Sequence, residues 1–286
     1  MTVKPDSRQT TVSAHRKSVD EYFRSEPQYW EEIYKLDTLY ARIHQERQSF
    51  VLGLADKLRL PPEAHILDVG CGPGVTSVAL AARGYKVHAV DSVHEMLEGA
   101  KHCAANRGVA DSLQTVQATI NRLPFDDNRF SLVLAIGVLP WLDSLREAVA
   151  EIVRVTKVGG YLIVNTDNPW RLHELLDPRL HPLHASVRHR LRKLMGSAKL
   201  PFARRCSRRE LDGLLQDLVC VKLDTKMLGF GPFSFFGRKL FSEQLNIKLH
   251  GVLQHCSDRR VPVIRATGAQ YIVLIQKARG LDRGKH

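Results

Sequence analysis

The stretch His65-Ile-Leu-Asp-Val-Gly-Cys-Gly-Pro-Gly74 decides the fold. Its apolar start reads as a short strand carrying Asp68. The strand runs directly into Gly70, Gly72 and Gly74, and a helix is expected from Val75. Glycine at such a turn lets the backbone fold tightly and approach a ligand with no Cβ in the way. The nicotinamide fingerprint has the spacing G-x-G-x-x-G. Here the spacing is G-x-G-x-G preceded by an acid, a different pattern. Asp91 ends the next apolar run, 21 positions beyond Gly70. A carboxylate at that strand end can accept both hydroxyls of a ribose. Turn and strand-end acid together point to a nucleoside-bearing cofactor.

Outward from this turn, short apolar runs alternate with amphipathic stretches. Strands are expected over His65–Val69, Tyr85–Val90, Ser131–Ile136 and Tyr161–Asn165, and helices over Val75–Arg83, Val93–Ala105 and Ser144–Thr156. Ser92-x-x-Glu95 and Ser144-x-x-Glu147 read as capping boxes at two helix starts. Such alternation predicts a Rossmann-like, mostly parallel sheet covered on both faces. Upstream, Val19 to Leu60 carries aromatic and apolar residues at helical spacing, interrupted at Pro27 and stopped by Pro61-Pro62. Downstream, Ser207-x-x-Glu210 opens a helix, Val219–Met227 reads as a strand, Lys239–Cys256 as a helix and Gln270–Gln276 as the last strand. The expected organisation is an N-terminal helical lid, 1–60, on an α/β domain, 61–286. Two insertions, about 167–206 and 229–268, are expected over the active site.

Composition narrows the class. The 286 residues are 44% hydrophobic and 25% charged, which excludes extensive disorder and fibrous repeats. No run approaches the roughly 20 apolar residues of a membrane helix, and Met1 to Val19 lacks a secretory core. Five cysteines without a CxxC pair indicate neither a disulfide framework nor zinc, and a cytoplasmic protein is expected. The charge is less ordinary: 42 basic and 30 acidic residues give +12. Arg171 to Arg209 alone holds eleven Lys/Arg against Glu174 and Asp177. That excess invites nucleic acid, anionic lipid or an anionic small molecule as partner.

The chain resembles the class I S-adenosylmethionine-dependent methyltransferases, most closely the ubiquinone/menaquinone-type and small-molecule subgroup. The residues that carry the likeness are Leu-Asp-Val-Gly-Cys-Gly-Pro-Gly, the Asp91 strand end, Leu123-Pro-Phe-Asp126, Phe130 to Val133, Gly137-Val-Leu139 and Lys157-Val-Gly-Gly160. The resemblance implies seven strands, the last antiparallel, and S-adenosyl-L-methionine as cofactor. It implies that Gly70, Cys71 and Gly72 lie against the methionine portion, with Asp68 near its amino group. Asp91 would hold the ribose, Ser92 and Met96 would flank the adenosine, and Ala118, Thr119 and Ile120 would border adenine. Ile136 and Gly137 would close the floor, and Tyr22 and Trp30 belong to a segment that looks like a lid. Thr119 stands where such enzymes usually have an acid, and Ser131 where they often have aspartate.

The expected activity is methyl transfer to an oxygen or nitrogen of a small, anionic metabolite or natural-product intermediate. Substrate contacts are expected from Trp141, Asn168, Trp170, Arg171 and Phe233. His181 and His184 are the candidate bases, although a solvated basic segment explains them as well. No metal site is expected, and the protein is expected to act as a monomer or homodimer. The rival readings are an RNA or DNA methyltransferase using the basic insertion, and a non-catalytic S-adenosylmethionine-binding protein. An Asn-Pro-Pro-Tyr-type base-flipping tetrapeptide is absent from the sequence; Gly137-Val-Leu-Pro140 stands after the fourth expected strand. The phenylalanines of Gly229 to Gly237 suggest an enclosed pocket, the alternative being a plug at the sheet edge.

Overall fold

In the computed structural model, residues 7–25, 27–181, 183, 203 and 205–278 are described. Seven strands form one sheet: β1 (His65–Val69), β2 (Lys86–Asp91), β3 (Leu113–Gln117), β4 (Phe130–Ala135), β5 (Thr156–Asp167), β6 (Cys220–Leu228) and β9 (Gln270–Lys277). A two-residue hairpin, β7 (Ser234–Phe235) and β8 (Arg238–Lys239), lies apart. The sheet order is β3-β2-β1-β4-β5-β9-β6. Strands β1 to β5 pair in parallel, and β9 runs antiparallel to both β5 and β6. This is the Rossmann-like arrangement with an antiparallel last strand that the sequence pattern and the resemblance lead one to expect.

Side-chain alternation splits the core into two layers. Leu67, Val69, Val133, Ala135, Leu162 and Val164 point to one face, where they meet α6 (Leu145–Val155) and α8 (Arg208–Asp217). Ile66, Leu132, Leu134, Ile163 and Ile272 point to the other, against α3 (Leu39–Lys57) and α4 (Val75–Ala81). Burial on both faces is why the central strands read as unbroken apolar runs. Leu145, Ala148, Val149, Ile152 and Val153 make the inward stripe of α6 at helical spacing. Ser144 caps it by accepting from the Glu147 N–H, and Ser207 caps α8 in the same way from Glu210.

Helices α1 (Ser7–Ser25) and α2 (Pro27–Glu32) precede α3, and Pro27 begins a new helix where a break is expected. The Ser92 capping box is not formed. The helix α5 (His94–Asn106) has Val93 at its N-cap without a side-chain bond, and the Ser92 hydroxyl donates instead to Asp20 of α1 at 2.8 Å. The two insertions follow β5 and β6, both at the carboxyl side of the sheet. Short α7 (Leu172–Leu175) opens the first, and α9 (Glu243–Asp258) dominates the second. They are tied to each other: Asp177 accepts from the Ser234 hydroxyl at 2.7 Å, and Arg179 donates to the Phe236 carbonyl at 2.6 Å. Among the described residues no helix is long and apolar enough to cross a membrane.

Candidate active site

A cavity of about 290 Å³ opens at the carboxyl ends of the strands, where the order reverses between β1 and β4. Ligands of open α/β sheets bind at such a switch point. Its floor follows the strands in order: Ala118 to Asn121 after β3, Asp91 to Val93 after β2, Val69 to Pro73 after β1, Ile136 to Val138 after β4, Asp167 at the end of β5 and Gln270 at the start of β9. The roof is α1, through Arg16, Val19, Asp20 and Phe23, continued by Trp30, Tyr34 and the α3 residues Tyr40, His44 and Arg47.

The glycine turn has two separate physical reasons. Gly70, at φ +68°, leaves so little room that a Cβ would stand 2.8 Å from the Cβ of Val138. Gly72, at φ +54°, would meet nothing within 4 Å. The first glycine admits the loop after β4, and the second leaves space for a ligand.

Asp91 braces this turn. Its Oδ2 accepts from the Gly72 N–H at 3.0 Å and its Oδ1 from the Val93 N–H at 3.0 Å. Each oxygen keeps a further lone pair for a hydroxyl donor. Burial raises the Asp91 carboxyl above its ordinary range, and the backbone donors partly hold it down. Asp68, fully enclosed, accepts from the Ser77 hydroxyl at 2.5 Å, and burial pushes it up to about 6. Two desolvated carboxylates under one cavity favour a ligand bearing hydroxyls or positive charge. Cys71 is partly exposed to the cavity, and desolvation with the neighbouring Asp91 and Asp68 charges raises its thiol well above the usual range, which suits a small packing residue rather than a nucleophile.

The opposite wall carries a cation. Arg47 is 8% exposed, and its guanidinium lies against Gly137, where a Cβ would stand 3.4 Å from Nη1. No carboxylate among the described residues pairs with it.

Of the residues expected to touch the cofactor, Trp30, Asp68, Gly70, Cys71, Gly72, Asp91, Ser92, Met96, Ala118, Thr119, Ile120, Ile136 and Gly137 all line the cavity. Tyr22 does not; its ring packs on Phe23 and Trp141 behind the roof. Among the expected substrate contacts only Trp141 reaches the cavity. Asn168 is a structural pin: its amide donates to the Ala266 and Gly268 carbonyls at 2.9 and 2.8 Å, and its oxygen accepts from the Trp170 N–H. Trp170 is exposed outside the cavity. Arg171 pairs with Asp167 and approaches Glu174, so its charge is taken within the protein.

Phe230 and Phe233 are buried away from the cavity and Phe235 and Phe236 are exposed, so none of the four lines it. Backbone N–H groups of this segment need partners, and a polar stripe on α9 supplies them. Gln254, His250 and Asn246 accept from the N–H groups of Gly229, Phe230 and Phe233. His181 lies outside the cavity, with Nδ1 facing the Leu183 N–H at 3.4 Å. His184 lies outside the described residues.

Sequence reasoning missed Arg47 and His44. Both sit on a helix whose residues read as ordinary amphipathic spacing, and only the docking of α3 over the strand ends brings them to the cavity.

Residues 67–164 match a family model described as a methyltransferase domain. The chain is 32% identical over 123 residues to a sterol 4-C-methyltransferase of Caenorhabditis elegans, covering 43% of this chain and 37% of that protein. It is 34% identical over 141 residues to a malonyl-[acyl-carrier protein] O-methyltransferase of Methylovorus, covering 47% of each. The chain thus spans less than half the length of either curated relative. The solved magnesium protoporphyrin IX methyltransferase of Synechocystis, with bound S-adenosylhomocysteine, superposes with a TM-score of 0.63 at 16% identity. That match covers 92% of this chain and all of the other. The protein therefore carries the class I S-adenosylmethionine-dependent methyltransferase fold.

Proposed function

We propose that this protein is an S-adenosylmethionine-dependent methyltransferase acting on an oxygen or nitrogen of a small acceptor. The excess of basic charge favours an anionic one. The single observation that carries this reading is the cavity itself. It combines the glycine turn, Asp91 and Asp68 on the floor, and an unpaired, buried Arg47 on the wall. A ligand with ribose hydroxyls, a positive centre and a terminal carboxylate complements all three. Asp91 would hold the hydroxyls, Arg47 the carboxylate, and Met96, Ala118 and Ile120 the flat apolar base. The cofactor supplies an activated methyl group on a sulfonium, which leaves the protein to align the acceptor and exclude water. Phe23, Trp30 and Trp141 form an aromatic roof suited to that exclusion. A roofed cavity suits a small acceptor better than a nucleic acid strand.

The test is calorimetry with S-adenosylhomocysteine on the wild type and on Asp91→Asn, a variant close to aspartate in shape. Charge-assisted hydrogen bonds are worth about 1.5–3 kcal/mol each. Affinity is expected to fall by about tenfold or more in a protein that stays folded. Equal affinity in the two proteins would overturn the ribose assignment. Radiolabelled methyl transfer to a small-metabolite extract, with total RNA alongside, separates the proposed acceptor class from nucleic acid. No transfer to either would leave a binding protein.

A further inference from the structure

The floor residues divide the cavity by strand. The residues assigned to the cofactor lie over β3, β2, β1 and the end of β4, which leaves the acceptor the stretch over β5 and β9, where Asp167 and Gln270 stand. Tyr40 and His44, one helical turn apart on α3, line the same cavity. His44 is 3% exposed, and its ring sits among Tyr40, Tyr34 and Trp30, with centroids 4.2, 6.3 and 6.3 Å away. Its Nδ1 lies 2.9 Å from the Tyr40 carbonyl oxygen. A carbonyl can only accept, so the ring proton is on Nδ1 and the lone pair is on Nε2. Nε2 makes no hydrogen bond among the described residues. Gln270 lines the cavity as well, and its buried Oε1 also has no partner among the described residues. Two unmet acceptors lining one cavity call for a ligand that brings donors.

Resting on the methyltransferase reading, we infer that His44 is the catalytic proton acceptor and that the methyl acceptor attacks through a hydroxyl. A carboxylate nucleophile would bring lone pairs against lone pairs at Nε2 and at Gln270. An amine would give an ammonium product that holds its proton too firmly for this imidazole to take. A hydroxyl suits both constraints. Its lone pair forms the bond to the methyl carbon while the C–S pair stays on sulfur, and the O–H pair stays on oxygen as the proton passes to Nε2. The imidazolium returns that proton to solvent when the product leaves.

Burial and the neighbouring Arg47 charge hold His44 down to about 3, so the ring is neutral throughout the physiological range. A base this weak leaves the free hydroxyl protonated. It still takes the proton of an oxygen that is acquiring a third bond, because a protonated ether is a far stronger acid. Other titratable groups lining the same cavity are Tyr40, pushed up to about 12 chiefly by burial, Tyr34, and Asp167, which Arg171 neutralises.

The first test needs no knowledge of the natural acceptor. Histidine-selective nitrogen NMR of the protein saturated with S-adenosylhomocysteine is expected to give a neutral, Nδ1-protonated His44 at pH 6.5, with Nε2 shifting when phenol is added. An imidazolium, or a proton on Nε2, would overturn the inference. The second test compares wild type with His44→Asn, whose amide keeps a donor near the Tyr40 carbonyl, using phenol and 4-nitrophenol as methyl acceptors at pH 8.5. General bases contribute about 10²- to 10⁴-fold. A loss of that size is expected with phenol, which is un-ionised, and a much smaller one with the ionised nitrophenol. S-adenosylhomocysteine affinity is expected to stay within about threefold, because the inferred role of His44 is toward the acceptor's proton and not toward the cofactor. Equal losses for both phenols, or transfer by wild type to neither, would overturn the role of His44. Failure of S-adenosylhomocysteine to bind the wild type would instead overturn the methyltransferase reading beneath it.

Discussion

Asp68 sits beneath the glycine turn, fully enclosed, with Ser77 donating to it. Burial pushes its carboxyl up to about 6 against about 3.8 in the unfolded chain. The folded state therefore binds more protons between roughly pH 4 and 6, and stability falls as pH rises through that window. Above pH 6 the folded protein carries a desolvated charge, a cost that the cofactor's positive end would relieve. Asp68→Asn keeps an acceptor for Ser77 and removes the charge. Its melting temperature at pH 7.5 is expected to equal or exceed that of the wild type, the difference closing below pH 4, while S-adenosylhomocysteine binds more weakly. A thermal denaturation series with parallel calorimetry checks both halves. A lower melting temperature at pH 7.5 would mean that the carboxylate stabilises the turn. Asp68 and Asp91 are legible in the sequence because a strand end and a glycine turn fix what lies beside them. His44 and Arg47 are not: nothing local distinguishes a cavity-facing position on α3 from one packed on the sheet.

At the scale of elements, the described residues of α1 meet the sheet domain through polar contacts and an aromatic cluster. Ser92 donates to Asp20, Arg24 pairs with Glu95 at 3.2 Å, and Tyr22 and Phe23 pack on Trp141. Neither core layer includes an α1 residue. Removing residues 1–25 is therefore expected to leave a folded protein, with thermal stability nearly unchanged. S-adenosylhomocysteine affinity is expected to fall at least about tenfold, since the roof at Arg16, Val19, Asp20 and Phe23 is lost. Circular dichroism and calorimetry decide it; unaltered affinity would mean that α1 is not a lid. The strands most visible in the sequence are those buried on both faces. Strand β3 is hidden there because Leu113-Gln-Thr-Val-Gln117 is an edge strand with no fully buried residue. Ser92 misleads for a related reason: its spacing suits a cap, but a distant carboxylate on α1 competes for the same hydroxyl. The phenylalanines of Gly229 to Gly237 mislead because apolar composition does not tell a loop packed on a helix from a pocket wall. The polar stripe of α9 that decides it becomes visible only once Asn246, His250 and Gln254 face the loop.

Over the whole molecule, buried histidines govern the response to acid. Burial, with a neighbouring arginine charge second, holds His44 down to about 3 and His88 and His173 to about 4. In the unfolded chain each would titrate near the ordinary histidine value of 6.5. Unfolding therefore takes up protons between roughly pH 4 and 6.5, so the stability present above 6.5 is lost as pH falls. Asp68 and Asp91, both raised by burial, act in the opposite direction, because a carboxyl still protonated in the folded state gives up its proton on unfolding. Three histidines against two carboxyls leave a net uptake of protons near pH 5.5. The melting temperature is expected to drop steadily from pH 7 to pH 4.5. The calorimetric enthalpy at pH 5.5 should also depend on the ionisation enthalpy of the buffer, in the direction of proton uptake. A flat profile, or proton release, would mean that these histidines are hydrated or charged in the native state. That result would also remove the neutral imidazole on which the proposed proton transfer at His44 depends. The same scan repeated with saturating S-adenosylhomocysteine should raise the curve at every pH, because the ligand binds the folded state. The rise should grow as pH passes upward through 6, where Asp68 is ionised and meets the cofactor with its full charge.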